Sequence, residues 1–214
     1  MAVMFASWIV LATAVAVVYS AVPRSSGWLG LSTAASLAVP WLALIGWPWY
    51  FARRFGSGPG AEFGWSIRWS DVGLGLLGGA ATLVVGSVIG AITRHFYGPF
   101  NSSAGDVAAP LHGQRFWLAF FAMLVAFGAP VAEEFAFRGV LFAAFLRRGM
   151  SPVVTNLLVA LVFALIHFEP IRFPLLFGIG LVLGYLRQRT GRVGAGIVAH
   201  ATNNVVGAWS LLSM

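Results

Sequence analysis

Apolar residues along this chain fall in long unbroken blocks, at about 2–22, 27–52, 72–93, 116–146, 152–168, 173–186 and 193–212. A helix rises 1.5 Å per residue, so about twenty apolar residues cross the hydrocarbon core of a bilayer. The pattern predicts an all-α, polytopic transmembrane helical bundle of about seven spans. The first block lacks the positively charged start of a signal peptide and reads as a span. The fourth would be roughly 46 Å long if wholly helical, so it must tilt, kink or project. Between the blocks, 55–70 reads as a loop with an interfacial stretch, and 94–114 as the longest polar connection, with His95 and His112 as ordinary loop residues. Trp41, Trp47 and Trp49 read as packing and interface anchors. Gly75-x-x-x-Gly79 and Gly86-x-x-x-Gly90 let helices approach closely, within one bundle or at a self-dimerisation face.

Composition narrows the class further. With 59% hydrophobic and 9% charged residues in 214, and a mean hydropathy of +0.88, the polar surface is too small to cover a soluble globule. The net charge of +7 does not indicate nucleic acid, because the charges sit in short loops and form no continuous basic face. They act as topology signals. The loops after the second, fourth and sixth blocks hold Arg53, Arg54, Arg68, Arg147, Arg148, Arg187, Arg189 and Arg192, against Arg24, Arg94, Arg115 and Arg172 on the other side. The positive-inside rule then puts the even-numbered exits in the cytoplasm and both termini outside. With no cysteine, disulfides, cysteine nucleophiles and thiolate ligands are excluded.

Polar residues interrupt the blocks at three places. Glu133, Glu134 and Arg138 lie inside the fourth, where an ionised group costs about 2.5–3.5 kcal/mol on insertion scales and so faces a bundle interior and finds partners. Glu134 and Arg138, four apart, share a helix face and can pair, while Glu133 is turned about 100° away and stays available. Pro130 removes a backbone hydrogen bond just before them. Phe163 and His167 end the fifth block, and His200 with Asn203 and Asn204 lies in the seventh. Three helices each bringing polar groups into the bilayer predict one shared polar cavity within the membrane.

This ordered set, Glu133-Glu134-x-x-x-Arg138, Phe163-x-x-x-His167 and His200-x-x-x-Asn204, resembles the three signature motifs of the CAAX protease and bacteriocin-processing (CPBP, or Abi) family, which includes the type II CAAX prenyl endopeptidases. The resemblance implies a catalytic core over 111–214, with 1–110 as generic transmembrane helices and loops of the same integral membrane domain. It implies an intramembrane endopeptidase acting on membrane-associated substrates, CAAX-prenylated or bacteriocin-like, in the plasma (inner) membrane of a prokaryote. Glu133 would act as general base on a water that His167 helps to orient, and His200 and Asn204 would stabilise the oxyanion. Glu134, Arg138, Phe163 and Asn203 would support them. No cofactor is favoured. In a metal-dependent enzyme, Glu133, His167 and His200 would be the ligands of zinc or another divalent ion.

Two other readings use the same polar set: a non-catalytic membrane scaffold or partner-binding protein, and a proton-coupled transporter. The latter lacks the internal repeat common in transporters. No Gly-x-Ser-Gly lies in a span and no aspartate lies in an apolar block, which sets aside serine and paired-aspartate intramembrane proteases.

Overall fold

Long apolar blocks punctuated by Pro and Gly give helices with short connections. The computed structural model describes residues 1–213 and holds no strand among them. The helices are α1 (Ala2–Ala21), α2 (Leu29–Ala38), α3 (Trp41–Phe55), α4 (Pro59–Phe63), α5 (Trp69–Tyr97), α6 (Ser103–Ala108), α7 (Arg115–Met123), α8 (Ala129–Glu134), α9 (Phe142–Arg147), α10 (Pro152–Leu165), α11 (Phe173–Thr190) and α12 (Gly194–Leu212). Four segments are long and apolar enough to cross a membrane: Ala2–Ala21, Leu29–Phe55, Trp69–Tyr97 and Arg115–Arg147. Helices also occupy the three remaining blocks. At 14 residues α10 is short, arginines dilute the end of α11, and His200, Asn203 and Asn204 dilute α12.

The chain's own chemistry sets the breaks. Ser151 caps α10 by accepting from the Val154 N–H at 3.3 Å, with Pro152 at the first helical position, where its missing N–H costs nothing. Gly191 ends α11 at φ +67, a left-handed conformation that suits a residue without Cβ. The Arg115–Arg147 run contains two wider π-helical stretches, Leu124–Gly128 and Phe135–Leu141, which bracket α8 and its two glutamates.

Two expectations change here, and one acidic residue gains a structural task. The 55–70 segment is not all loop, since α4 folds within it, and Glu62 from that helix accepts a hydrogen bond from Arg147 at the end of α9. The 94–114 connection is largely ordered. Helix α5 continues to Tyr97 and carries His95 in its last turn, and α6 with the short 3-10 turn Ala109–Leu111 follows. Asp71 opens α5 and is fully buried; it bonds the Arg68 N–H at 2.8 Å and pairs with Arg192 at 2.6 Å. Its carboxylate ties the start of α5 to the connection before α12, so this aspartate is committed to an ion pair.

Helices α5 and α12 run parallel and touch through glycines. A Cβ on Gly75 would lie 2.4 Å from Val198 Cβ, and one on Gly79 would lie 2.5 Å from Thr202 Cβ. The first small-residue motif therefore packs within the bundle. Gly79→Leu is expected to destabilise the protein by about 1–3 kcal/mol through overpacking, whereas Gly73→Leu, with nothing within 4 Å, should be neutral. Thermal unfolding followed by circular dichroism in detergent checks the contrast, and equal melting of the two variants would remove the packing argument.

The main apolar core joins both halves of the chain. Met4, Leu44 and Ala52 pack with Phe135, Phe137, Phe142 and Phe163. Outside it, α5 presents Leu76, Leu77, Val84, Val88 and Ile92 at its surface, the apolar face expected of a helix that meets lipid.

Candidate active site

The fourth apolar run supplies the centre of the site. Glu134 and Arg138 are fully buried and paired, Arg138 Nη1 donating to Glu134 Oε1 at 2.8 Å. Arg138 also donates from Nη2 to the Gly180 carbonyl at 3.0 Å, and its guanidinium lies 4.5 Å from the Phe163 ring centroid. A buried cation is tolerated here because a carboxylate, a carbonyl and an aromatic face surround it. The Glu134 Oε2 atom has no hydrogen-bond partner among the described residues, and a Cβ on Gly196 would lie 2.5 Å from it. Gly196 thus gives this carboxylate its room.

Glu133 points elsewhere. Its Oε2 lies 4.0 Å from His167 Nε2 and 3.9 Å from His200 Nε2, with 18% of its side chain exposed. Those separations exceed a direct hydrogen bond and suit a bridging water. Phe163 holds the two imidazoles edge to face, its ring 4.6 Å from His167 and 5.9 Å from His200.

The other ring nitrogens fix the tautomers. His167 Nδ1 lies 2.6 Å from the Phe163 carbonyl, and His200 Nδ1 lies 3.2 Å from Glu134 Oε1. A carbonyl and a carboxylate accept, so each Nδ1 is the donor in its contact, and each Nε2 faces Glu133. Sequence spacing paired Glu134 with Arg138; the contact with His200 adds an orienting function that arises from a different helix.

Asn204 is tied to the backbone. In the wider π register the carbonyl of Val125 would be met by the N–H of residue 130, but that residue is Pro130 and has none. Asn204 Nδ2 fills the gap, donating to the Val125 carbonyl at 3.0 Å, and its Oδ1 accepts from Asn203 Nδ2 at 3.3 Å. One amide hydrogen of Asn204 is therefore committed, and one remains. Arg187 Nε donates to the Arg138 carbonyl at 2.8 Å, a side-chain tie to the second π stretch. Neither tie shows as a motif, although the five-residue interval from Val125 to Pro130 is a local signal for the first.

Glu133, His167, His200, Asn203 and Asn204 all line one cavity of about 820 Å³, large enough for a peptide segment. His112, assigned above to a loop, lines it as well, as do Asp106, Glu169 and Arg172. No group of three or more His, Asp or Glu side chains among the described residues is spaced to hold a metal ion.

An all-helical chain with four segments long and apolar enough to cross a bilayer has the architecture of an integral membrane protein. Residues 115–206 match the family model described as type II CAAX prenyl endopeptidase Rce1-like, a likeness consistent with a CAAX protease family. The match spans Glu133, His167, His200, Asn203 and Asn204, while Asp106 and His112 of the same cavity lie outside it. No curated protein and no solved structure matches the chain.

Proposed function

We propose that the protein is an intramembrane endopeptidase in which Glu133 activates water for attack on a peptide carbonyl. The observation that carries this reading is the convergence of Glu133 Oε2 and the Nε2 atoms of His167 and His200 within 4.0 Å in a cavity of peptide size. A water held among them transfers a proton to Glu133 as its oxygen bonds the carbonyl carbon. The tetrahedral oxyanion then faces the remaining amide hydrogen of Asn204 and the Nε2–H of His200, which takes its second proton from solvent before the attack; Glu134 at Nδ1 supports that imidazolium. On collapse the carbon–nitrogen bond breaks, the proton passes to the leaving amine, and acid and amine products result. His167 orients the water through Nε2, and Phe163 and Asn203 hold the acting side chains in place.

The substrates are membrane-associated peptides, of CAAX-prenylated or bacteriocin-like type, and the protein works in the plasma (inner) membrane of a prokaryote. The match to the family model and a cavity of peptide size support the substrate class. The test is cleavage of a quenched fluorescent lipopeptide panel by purified protein in detergent, with and without chelator. Cleavage unaffected by chelator is expected. Loss with chelator and recovery on adding a divalent ion would replace the mechanism by a metal-dependent one. A folded protein that cleaves no member, yet supports proton-driven solute uptake in vesicles, would replace the hydrolase reading by a transporter.

A further inference from the structure

Glu133 and His167 line a second, smaller void as well as the large cavity. This crevice has a volume of about 190 Å³. Trp8 and Ala12 of α1, with Pro40 and Trp41 at the junction of α2 and α3, form its opposite wall. Those wall residues lie outside the matched region 115–206. The family-matching half of the chain thus supplies the reacting groups, and the N-terminal helices close one side of the site. Trp41 is fixed there: a Cβ on Gly128 would lie 2.7 Å from the Trp41 ring, so the indole lies flat against a glycine of the first π stretch.

We infer that this crevice is a specificity pocket for one apolar side chain of the substrate, that of a residue adjoining the scissile bond, and that Trp8, Ala12 and Trp41 set its size. The inference rests on the endopeptidase reading above. Three observations carry it. A peptide carbonyl placed for attack beside Glu133 lies where the two voids meet, because Glu133 and His167 border both. Apart from Ser36, Glu133 and His167 the lining is apolar, which suits a hydrocarbon group and no charged one. At about 30 Å³ per water-sized group, 190 Å³ holds about six such groups. That is the size of one large aliphatic or aromatic side chain and well short of a whole farnesyl-type chain. A lipid tail on the substrate therefore lies in the large cavity or in the bilayer.

Trp8 and Ala12 are one turn apart on α1, so they allow opposite changes of volume. The experiment measures kcat/KM for lipopeptides identical except for Ala, Leu, Phe or Trp on one side of the scissile bond, then on the other. A pocket difference of one methylene or more discriminates substrates about 10–200-fold. Trp8→Ala is expected to raise the Trp-to-Ala ratio at least tenfold in one of the two series, and Ala12→Leu to lower the Phe-to-Ala ratio by a similar factor in the same series. Unchanged ratios, or an equal fall for every peptide, would overturn the inference.

Binding of the same peptides to a Glu133→Gln protein, read from tryptophan fluorescence, needs no turnover. With no cleavage by the unmodified protein, the endopeptidase reading fails on its own. The crevice then stands or falls on whether Ala12→Leu in the Glu133→Gln background weakens binding of the Phe peptide at least tenfold relative to the Ala peptide. Equal weakening of both overturns it.

Discussion

Glu133→Gln is expected to lower peptide turnover by about 10²–10⁴-fold, the usual contribution of a positioned general base, with little change in thermal stability. The substitution keeps the shape of the side chain and removes its capacity to take a proton from water. Stability is preserved because Glu133 is the least committed acid of the site: its nearest charged neighbours are imidazole nitrogens at 3.9 and 4.0 Å, beyond hydrogen-bond reach. No buried donor loses a partner when its charge goes. Turnover of a lipopeptide and a thermal melt on the same preparation separate chemistry from folding. Undiminished turnover would remove Glu133 from the mechanism, and a non-catalytic membrane scaffold would gain if the variant kept full biological activity.

Much of this site is readable from spacing because each motif is local. Glu134 and Arg138 pair as neighbours one turn apart, and Phe163 stacks under His167, because a helix fixes such contacts whatever surrounds it. Contacts between helices are different. Nothing near Glu134 in the chain announces that His200 lies 3.2 Å away, and nothing near Asn204 announces the Val125 carbonyl. Those depend on how α12 packs against α8 and the π stretch. Asp71 escaped notice for a related reason: at the polar edge of an apolar block it looks like an ordinary first-turn acid, and only folding brings Arg192 to it. The π stretches are not visible as hydrophobic pattern, since a widened turn changes the backbone register and leaves the run apolar. The fold class follows from the long apolar blocks, whereas the wall built by Trp8 and Trp41 requires the packed bundle.

Arg138→Met should destabilise the protein by about 3–5 kcal/mol, because it leaves a carboxylate buried without its cation. Glu134 is fully inaccessible, and after the change its only polar neighbour is His200. The double variant Glu134→Gln/Arg138→Met removes both charges while keeping the volume, and it should recover most of that stability, since apolar replacement of a buried ion pair is often neutral or better. Activity should not recover with it. An amide in place of the carboxylate at Nδ1 carries no charge to support the imidazolium and can turn its NH2 to the ring and select the other tautomer, so turnover should remain down by about 10²-fold or more, in the direction seen when a histidine's orienting acid is removed elsewhere. Thermal unfolding and lipopeptide turnover on wild type, single and double variants give the two readouts. A double variant as active as wild type would make Glu134 a purely structural group. A single variant as stable as wild type would mean that the buried pair contributes nothing to holding α8 against α11 and α12. The expected split, stability restored and turnover lost, assigns the pair two separable tasks: neutralising a buried charge, which a well-packed uncharged pair also achieves, and holding His200, which needs a carboxylate at the position of Glu134 Oε1.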